Sequence, residues 1–229
     1  NRGAVYVFRT SDGGATYVEV AKLTAADASS DDSFGWSVAI KGNTIVVGAR
    51  GDDDGGASSG SAYVFRTSDG GATYSQVAKL TASDRATWDN FGVSVAIDGD
   101  TIVIGADGDN SERGSVYVFR TTDGGVTYGQ VAKLTADDAA ADDEFGGSVA
   151  IDGDTVVVGA YRKGDYTGAA YVYRTTDGGA AYGQVAKLTA SDGAEWDYFG
   201  YSVAIDGDTV VVGAFHLLVS PGAAYVFRT

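Results

Sequence analysis

Apolar residues fall along this chain in blocks of five or six, separated by short stretches rich in Gly, Asp, Ser and Thr. In one stretch Ser94-Val95-Ala96-Ile97 leads through Asp98-Gly99-Asp100 into Thr101-Ile102-Val103-Ile104-Gly105-Ala106. Two β-branched runs about a three-residue turn containing Asp-Gly predict a tight hairpin, strands A and B. A variable loop, 107–114, precedes strand C, Ser115-Val116-Tyr117-Val118-Phe119-Arg120. Strands with apolar residues on both alternating faces are expected to be covered on both sides. Strand D, residues 130–135, alternates more plainly and carries Lys133. A charged residue suits an outermost strand, where it discourages edge-to-edge aggregation.

The pattern repeats. Tyr-Val-Phe/Tyr-Arg-Thr begins at Tyr6, Tyr63, Tyr117, Tyr171 and Tyr225, at steps of 57, 54, 54 and 54 residues. A period near 54 with four strands per unit predicts an all-β fold, a β-propeller of four-stranded antiparallel blades, closed or as an arc of a longer array. The expected organisation is one domain, 1–229, with units 11–67, 68–121, 122–175 and 176–229 and an N-terminal strand at 3–10. In blade letters the chain runs C-D, three times A-B-C-D, then A-B-C, one strand more than four blades need. The N-terminal strand C duplicates the C-terminal one. Three outcomes remain open: a four-bladed ring with one copy frayed, strand addition to a neighbouring molecule, or an arc of a larger ring.

Charge and composition narrow the partners. The 229 residues carry 31 acidic and 16 basic side chains, a net charge of −15. Nine of the basic residues (Arg9, Arg66, Arg120, Arg174, Arg228, Lys22, Lys79, Lys133 and Lys187) hold repeat-equivalent positions and are read as architectural. With no basic stripe left over, nucleic acid and anionic membrane are opposed electrostatically. No apolar run is long enough for a membrane-spanning helix. Cysteine is absent, which removes disulfides, thiolate metal sites and a cysteine nucleophile. Methionine is absent too, and the expectation is a processed form or a segment of a longer protein.

Two resemblances follow from the repeated words. Thr121-x-Asp123-x-Gly125-x-Thr127-Tyr128 resembles the Asp box of sialidases and other propellers, and it recurs from Thr10, Thr67 and Thr175, with Ala181 replacing the threonine in the last copy. The resemblance implies a structural hairpin between strands C and D. More extensively, Phe34-Gly35, Phe91-Gly92, Phe145-Gly146 and Phe199-Gly200 precede Ser-Val-Ala-Ile and a Val-rich strand ending in Gly-Ala. This is similar to the FG-GAP repeat of the integrin α-subunit propeller and of microbial surface proteins, and implies an extracellular or cell-surface location. In integrin-type repeats the A–B connection is a calcium loop. Here it is cut to turns such as Asp98-Gly99-Asp100, too short to wrap an ion that wants six to eight oxygens.

Individuality is confined to the B–C and D–A loops, which share one face of a propeller. Asp52, Asp54, Asp107 and Asp109 are candidate ligands for a hard cation such as Ca2+, against the plainer reading of solvated loop charge. Arg50-Gly51-Asp52 spells an integrin-binding tripeptide and is read as coincidence in so Gly/Asp-rich a chain. Trp88 and Trp196, with Tyr198 nearby, are candidate glycan-stacking aromatics or, more plainly, caps on blade ends. Phe215, Leu217, Leu218 and Val219 form a candidate apolar interface beside the duplicated strand. His216 alone, with no supporting carboxylate and serine in evidence, does not make a hydrolytic triad, and no catalytic residue is identified. The expected function is a non-enzymatic extracellular or cell-surface structural module, self-associating head to tail, with a fibre subunit as one form. The alternative is a glycan- or ligand-binding propeller using the loop face.

Overall fold

A computed structural model describes residues 2–216 and 221–228. Seventeen strands form five antiparallel sheets. The first is a pair, β1 (Val5–Arg9) and β2 (Val18–Leu23). Three complete blades follow. These are β3 (Ser37–Lys41), β4 (Thr44–Ala49), β5 (Ser61–Arg66) and β6 (Ser75–Leu80); β7 (Ser94–Asp98), β8 (Thr101–Ala106), β9 (Ser115–Arg120) and β10 (Gly129–Leu134); and β11 (Ser148–Asp152), β12 (Thr155–Ala160), β13 (Ala169–Arg174) and β14 (Gly183–Leu188). The last sheet has three strands, β15 (Phe199–Asp206), β16 (Thr209–Ala214) and β17 (Ala223–Arg228).

Burial follows strand position. β4 and β8 are buried at every residue, and β5, β9 and β13 at all but their terminal arginines. The D strands β6, β10 and β14 expose alternate residues. The A strands are only half-buried, less than their apolar sequence suggests. The A–B turn is also tighter than the expected three residues. Asp98 pairs with Thr101, so Gly99-Asp100 alone makes the turn, with Gly99 at φ +53°. A Cβ at Gly99 would meet no atom within 4 Å, so glycine is there for its backbone conformation.

The repeated signatures have direct packing reasons. Each Phe of Phe-Gly lies edge-on against its own strand C: Phe91 is 5.5 Å from Tyr117 and 6.0 Å from Phe119 between ring centroids. The Gly of Gly-Ala lets the next blade approach. A Cβ on Gly48, Gly105 or Gly159 would lie 2.0, 2.0 or 1.9 Å from the carbonyl oxygen of Gly92, Gly146 or Gly200. The same carbonyls accept hydrogen bonds from Ser37, Ser94 and Ser148 at 2.8, 2.6 and 2.8 Å. The main hydrophobic clusters lie between blades; one joins Val46, Ala62 and Val64 of the first complete blade to Ile102, Ile104 and Tyr117 of the second.

The blades form an open arc. Among the described residues β1 pairs only with β2, and the last sheet ends at β17. A Cβ on Gly213 would meet only its own blade's Ser202, with no carbonyl from a following blade. At the other end Val38 and Ile40 are 56% and 62% exposed, whereas their equivalents Val95 and Ile97 are each 9% exposed.

Candidate functional site

Four hairpins between strands C and D carry the Asp box. The Asp123 carboxylate accepts the Thr127 amide at 2.9 Å and the Thr127 hydroxyl at 2.6 Å, while Thr121 Oγ1 accepts the Gly125 amide at 2.8 Å. The hydrogen bond from the Thr127 hydroxyl holds the Asp123 carboxyl far below the usual carboxylate range. Asp12 and Asp69 repeat this arrangement; Asp177 lacks the second hydroxyl because Ala181 stands in its place. Arginines lock successive boxes together: Arg9 donates to the Gly70 carbonyl and Arg66 to the Gly124 carbonyl, each one blade ahead.

A second repeated device sits at the outer edge. The Lys79 ammonium of β6 lies 2.7, 2.9 and 2.6 Å from Asp27, Asp52 and Asp54. The Tyr63 hydroxyl donates to Asp52 at 2.8 Å. Lys133 pairs with Asp84 and Asp109, both at 2.7 Å, and Lys187 with Asp138 at 2.6 Å. The lysine and the first aspartate of each set come from different blades. At the ends of the arc the device is split. Among the described residues Asp192 accepts the Tyr225 hydroxyl at 2.7 Å but has no lysine partner, and Lys22 lies over the Tyr6 ring with no carboxylate partner.

The candidate cation ligands are therefore dispersed. Asp52 and Asp54 converge with Asp27, their ligand oxygens all within 4.8 Å of one another, around the Lys79 ammonium. Asp109 faces Lys133 and accepts the Ser115 hydroxyl at 2.5 Å. Asp107 points elsewhere. The Arg50-Gly51-Asp52 tripeptide is not displayed as a ligand, since Asp52 is buried and the Arg50 guanidinium stacks 3.6 Å from the Trp36 ring centroid.

Asp107 belongs to a cavity of about 580 Å³ on the loop face, lined among others by Arg50, Trp88, Asn90, Glu144, Tyr161 and Arg162. Apart from Trp88 and Arg162, these side chains come from the positions immediately flanking the two repeated signatures. Ser33, Asn90, Glu144 and Tyr198 each precede Phe-Gly, and Arg50, Asp107, Tyr161 and Phe215 each follow Gly-Ala. The first set is held at positive φ, between 52° and 58°. In a chain of near-copies, these two sets differ in every repeat. Arg50, Asn90, Glu144 and Tyr161 were not legible as a group; variation immediately beside an invariant word is the signal that finds them, and Arg162 follows one residue after Tyr161.

Within the cavity Asp107 is 7% exposed and accepts the Asn90 side-chain amide at 3.1 Å. Burial pushes its carboxyl up to about 6. Arg162 pairs with Glu144 and, at 3.2 Å, with Glu112, and donates to the Tyr166 hydroxyl at 2.9 Å. Burial, reinforced by a hydrogen bond to Glu144, pushes the Tyr161 hydroxyl well above the ordinary range.

The three candidate glycan aromatics separate. Trp88 is 63% exposed and walls the cavity. Trp196 has one face covered by Tyr166, 4.4 Å away and nearly parallel. Tyr198 is buried against Tyr161, Tyr166 and Phe215. Phe215 is half-exposed beside Tyr201, whereas Leu217, Leu218 and Val219 lie outside the described residues. His216 does have a carboxylate neighbour, Asp197, 2.8 Å from Nδ1.

The FG-GAP repeat pattern matches residues 17–65, 74–119, 128–173 and 182–227. The chain belongs to the FG-GAP repeat family. Each matched segment runs from strand D of one blade to strand C of the next, so the FG-GAP sequence unit and the structural blade are offset. Among solved structures, that of Saccharomyces cerevisiae Sqt1 is similar at 14% identity and a TM-score of 0.48, over 80% of this chain and 43% of that one. The chain thus spans less than half the length of Sqt1. No curated protein matches it. No described helix is long and apolar enough to cross a membrane.

Proposed function

We propose that this FG-GAP chain is a non-enzymatic structural module of an extracellular or cell-surface assembly, joined head to tail to repeats of its own kind by blade completion. The observation that carries the reading is the split Lys–Asp–Tyr device. Three blade junctions hold a lysine against the preceding blade's aspartate, and the arc presents Asp192 at one end and Lys22 at the other. Other contacts support the same pairing. Glu19 of β2 is the positional equivalent of Gln76, Gln130 and Gln184, whose side chains accept amides of the preceding D–A loop at 3.0–3.1 Å. A β1–β2 hairpin laid against β16 in place of β17 completes an A-B-C-D blade. Because the surfaces at the two ends differ, the contact is heterologous and propagates, or closes only as a ring.

Native mass spectrometry tests the pairing through charge reversal. Lys22→Asp and Asp192→Lys each weaken self-association, and the double variant restores it. A particle that stays monomeric at high concentration sinks the reading.

A second reading, ligand binding on the loop face, is favoured by one observation: a polar cavity with an exposed tryptophan in its wall. The extracellular location rests on the family alone, an associational argument.

A further inference from the structure

We infer that the cavity between Arg50, Trp88 and Asp107 is a binding site for a neutral carbohydrate, one sugar ring stacked on Trp88 with its hydroxyls shared between Arg50 and Asp107. This rests on the ligand-binding reading and leaves the assembly reading untouched.

The cavity is a place where the repeats depart from one another. The Asp-box, Ser–Gly and Lys–Asp contacts recur from blade to blade, whereas the residues beside Phe-Gly and Gly-Ala differ in each. Five of those varying residues, Arg50, Asn90, Asp107, Glu144 and Tyr161, line it together and make an asymmetric site out of a repeating scaffold. Its volume, about 580 Å³, is that of a small-molecule site.

The chemistry of the walls selects the ligand. Arg50 is held flat against Trp36 and has no carboxylate partner within salt-bridge distance among the described residues, so its guanidinium edge keeps free donors. Asp107 is buried and, among the described residues, receives a single hydrogen bond, from Asn90, which leaves it acceptor capacity. Arg162 pairs with both Glu144 and Glu112 on the opposite wall, which leaves that wall one net negative charge. An anionic ligand would meet this wall and a chain of net charge −15. A cation would find Glu112 and Glu144 already paired with Arg162 and would lie against the Arg50 guanidinium. A hydroxyl both donates and accepts, and so satisfies Asp107 and Arg50 together. The apolar face of a pyranose matches an exposed indole, an amphipathic platform of the kind found at interfaces. Trp196 has the same position in its repeat but spends a face on Tyr166, so it is not part of this site.

The test is calorimetry with a panel of neutral mono- and disaccharides, with glucuronate and N-acetylneuraminate as charged controls. At least one neutral sugar binds, and Trp88→Ala and Asp107→Asn each weaken it by about tenfold or more, roughly 1.4 kcal/mol. Trp196→Ala leaves it unchanged. Circular dichroism and melting curves of each variant separate lost binding from lost folding; Trp88 is exposed and Asp107→Asn is nearly isosteric, so both are expected to fold. A sugar whose binding depends on Trp196 and not on Trp88 or Asp107 overturns this site but keeps the ligand-binding reading. A preference for the charged sugars also overturns it. A silent panel overturns both.

Discussion

The ammonium of Lys79 stands 2.9 Å from the buried carboxylate of Asp52, although the two are 27 residues apart, on either side of strand β5. Asp27 and Asp54 complete the shell, so one lysine occupies the centre of the only described trio of acids close enough to hold a metal. Lys79→Ala leaves Asp52 buried without its cation. The expected cost is about 2–3 kcal/mol, below the roughly 3–5 of a fully buried pair because Lys79 is partly exposed. Chemical denaturation measures it. Addition of a chelator to the wild type leaves the melting temperature unchanged, since the ammonium holds the place a cation would take.

Asp107 gives the fold a pH dependence of definite sign. Its folded value, about 6, lies above the unfolded value near 3.8. A raised carboxyl binds its proton more tightly when folded, so its stabilising contribution is full below about pH 4 and is lost as pH rises through about 6. Asp107→Asn removes the penalty of burying the charge. The variant is expected to be more stable than wild type at pH 7, by at most about 3 kcal/mol, and to converge with it in acid. Denaturation curves at several pH values check this; a gain that persists unchanged in acid would contradict the account.

Glycines at one repeat position divide by what faces them. Gly105→Ala drives a Cβ to 2.0 Å from the Gly146 carbonyl and forces two blades apart, at a cost of about 3 kcal/mol, the upper end of the usual overpacking range. Gly213→Ala, at the open end, meets only Ser202, a side chain that can rotate. It is expected to lower the melting temperature much less while blocking head-to-tail association. Scanning calorimetry and native mass together read the two effects.

The fourth Asp box is incomplete and can be repaired. Ala181→Thr supplies the hydroxyl that Thr16, Thr73 and Thr127 donate to their boxes at 2.6 Å. The melting temperature is expected to rise at neutral pH. The gain fades in acid as Asp177, whose carboxyl is lowered chiefly by its hydrogen bond with Thr175, finally takes up a proton.

The blades themselves were legible because their determinants are local. Phe91 and Tyr117, Gly99 and Thr101, or Asp123 and Thr127 all act within one repeat, and every predicted strand has its counterpart. What the sequence hid is contact between repeats. Lys79 reads as an edge-protecting charge until Asp27, 52 residues earlier, is seen beside it. The acidic loops read as metal ligands for the same reason. Arg50, Asn90, Asp107 and Glu144 each belong to a different stretch of chain, and only the arc brings their loops to one cavity. Trp88 and Trp196 share a sequence position, yet their neighbours decide that one stays open and the other is stacked.

The forward reach of each blade has a consequence for how such a gene can change. Arg9 grips the box of the following blade and Ser37 the carbonyl of the following Phe-Gly, and the same reach recurs at later junctions. The repeated contacts of one junction therefore fit those of another. Duplicating or deleting a whole repeat by unequal recombination leaves these repeated contacts in register. Length becomes a freely adjustable property, while the specificity carried by a particular cavity depends on which units happen to be neighbours.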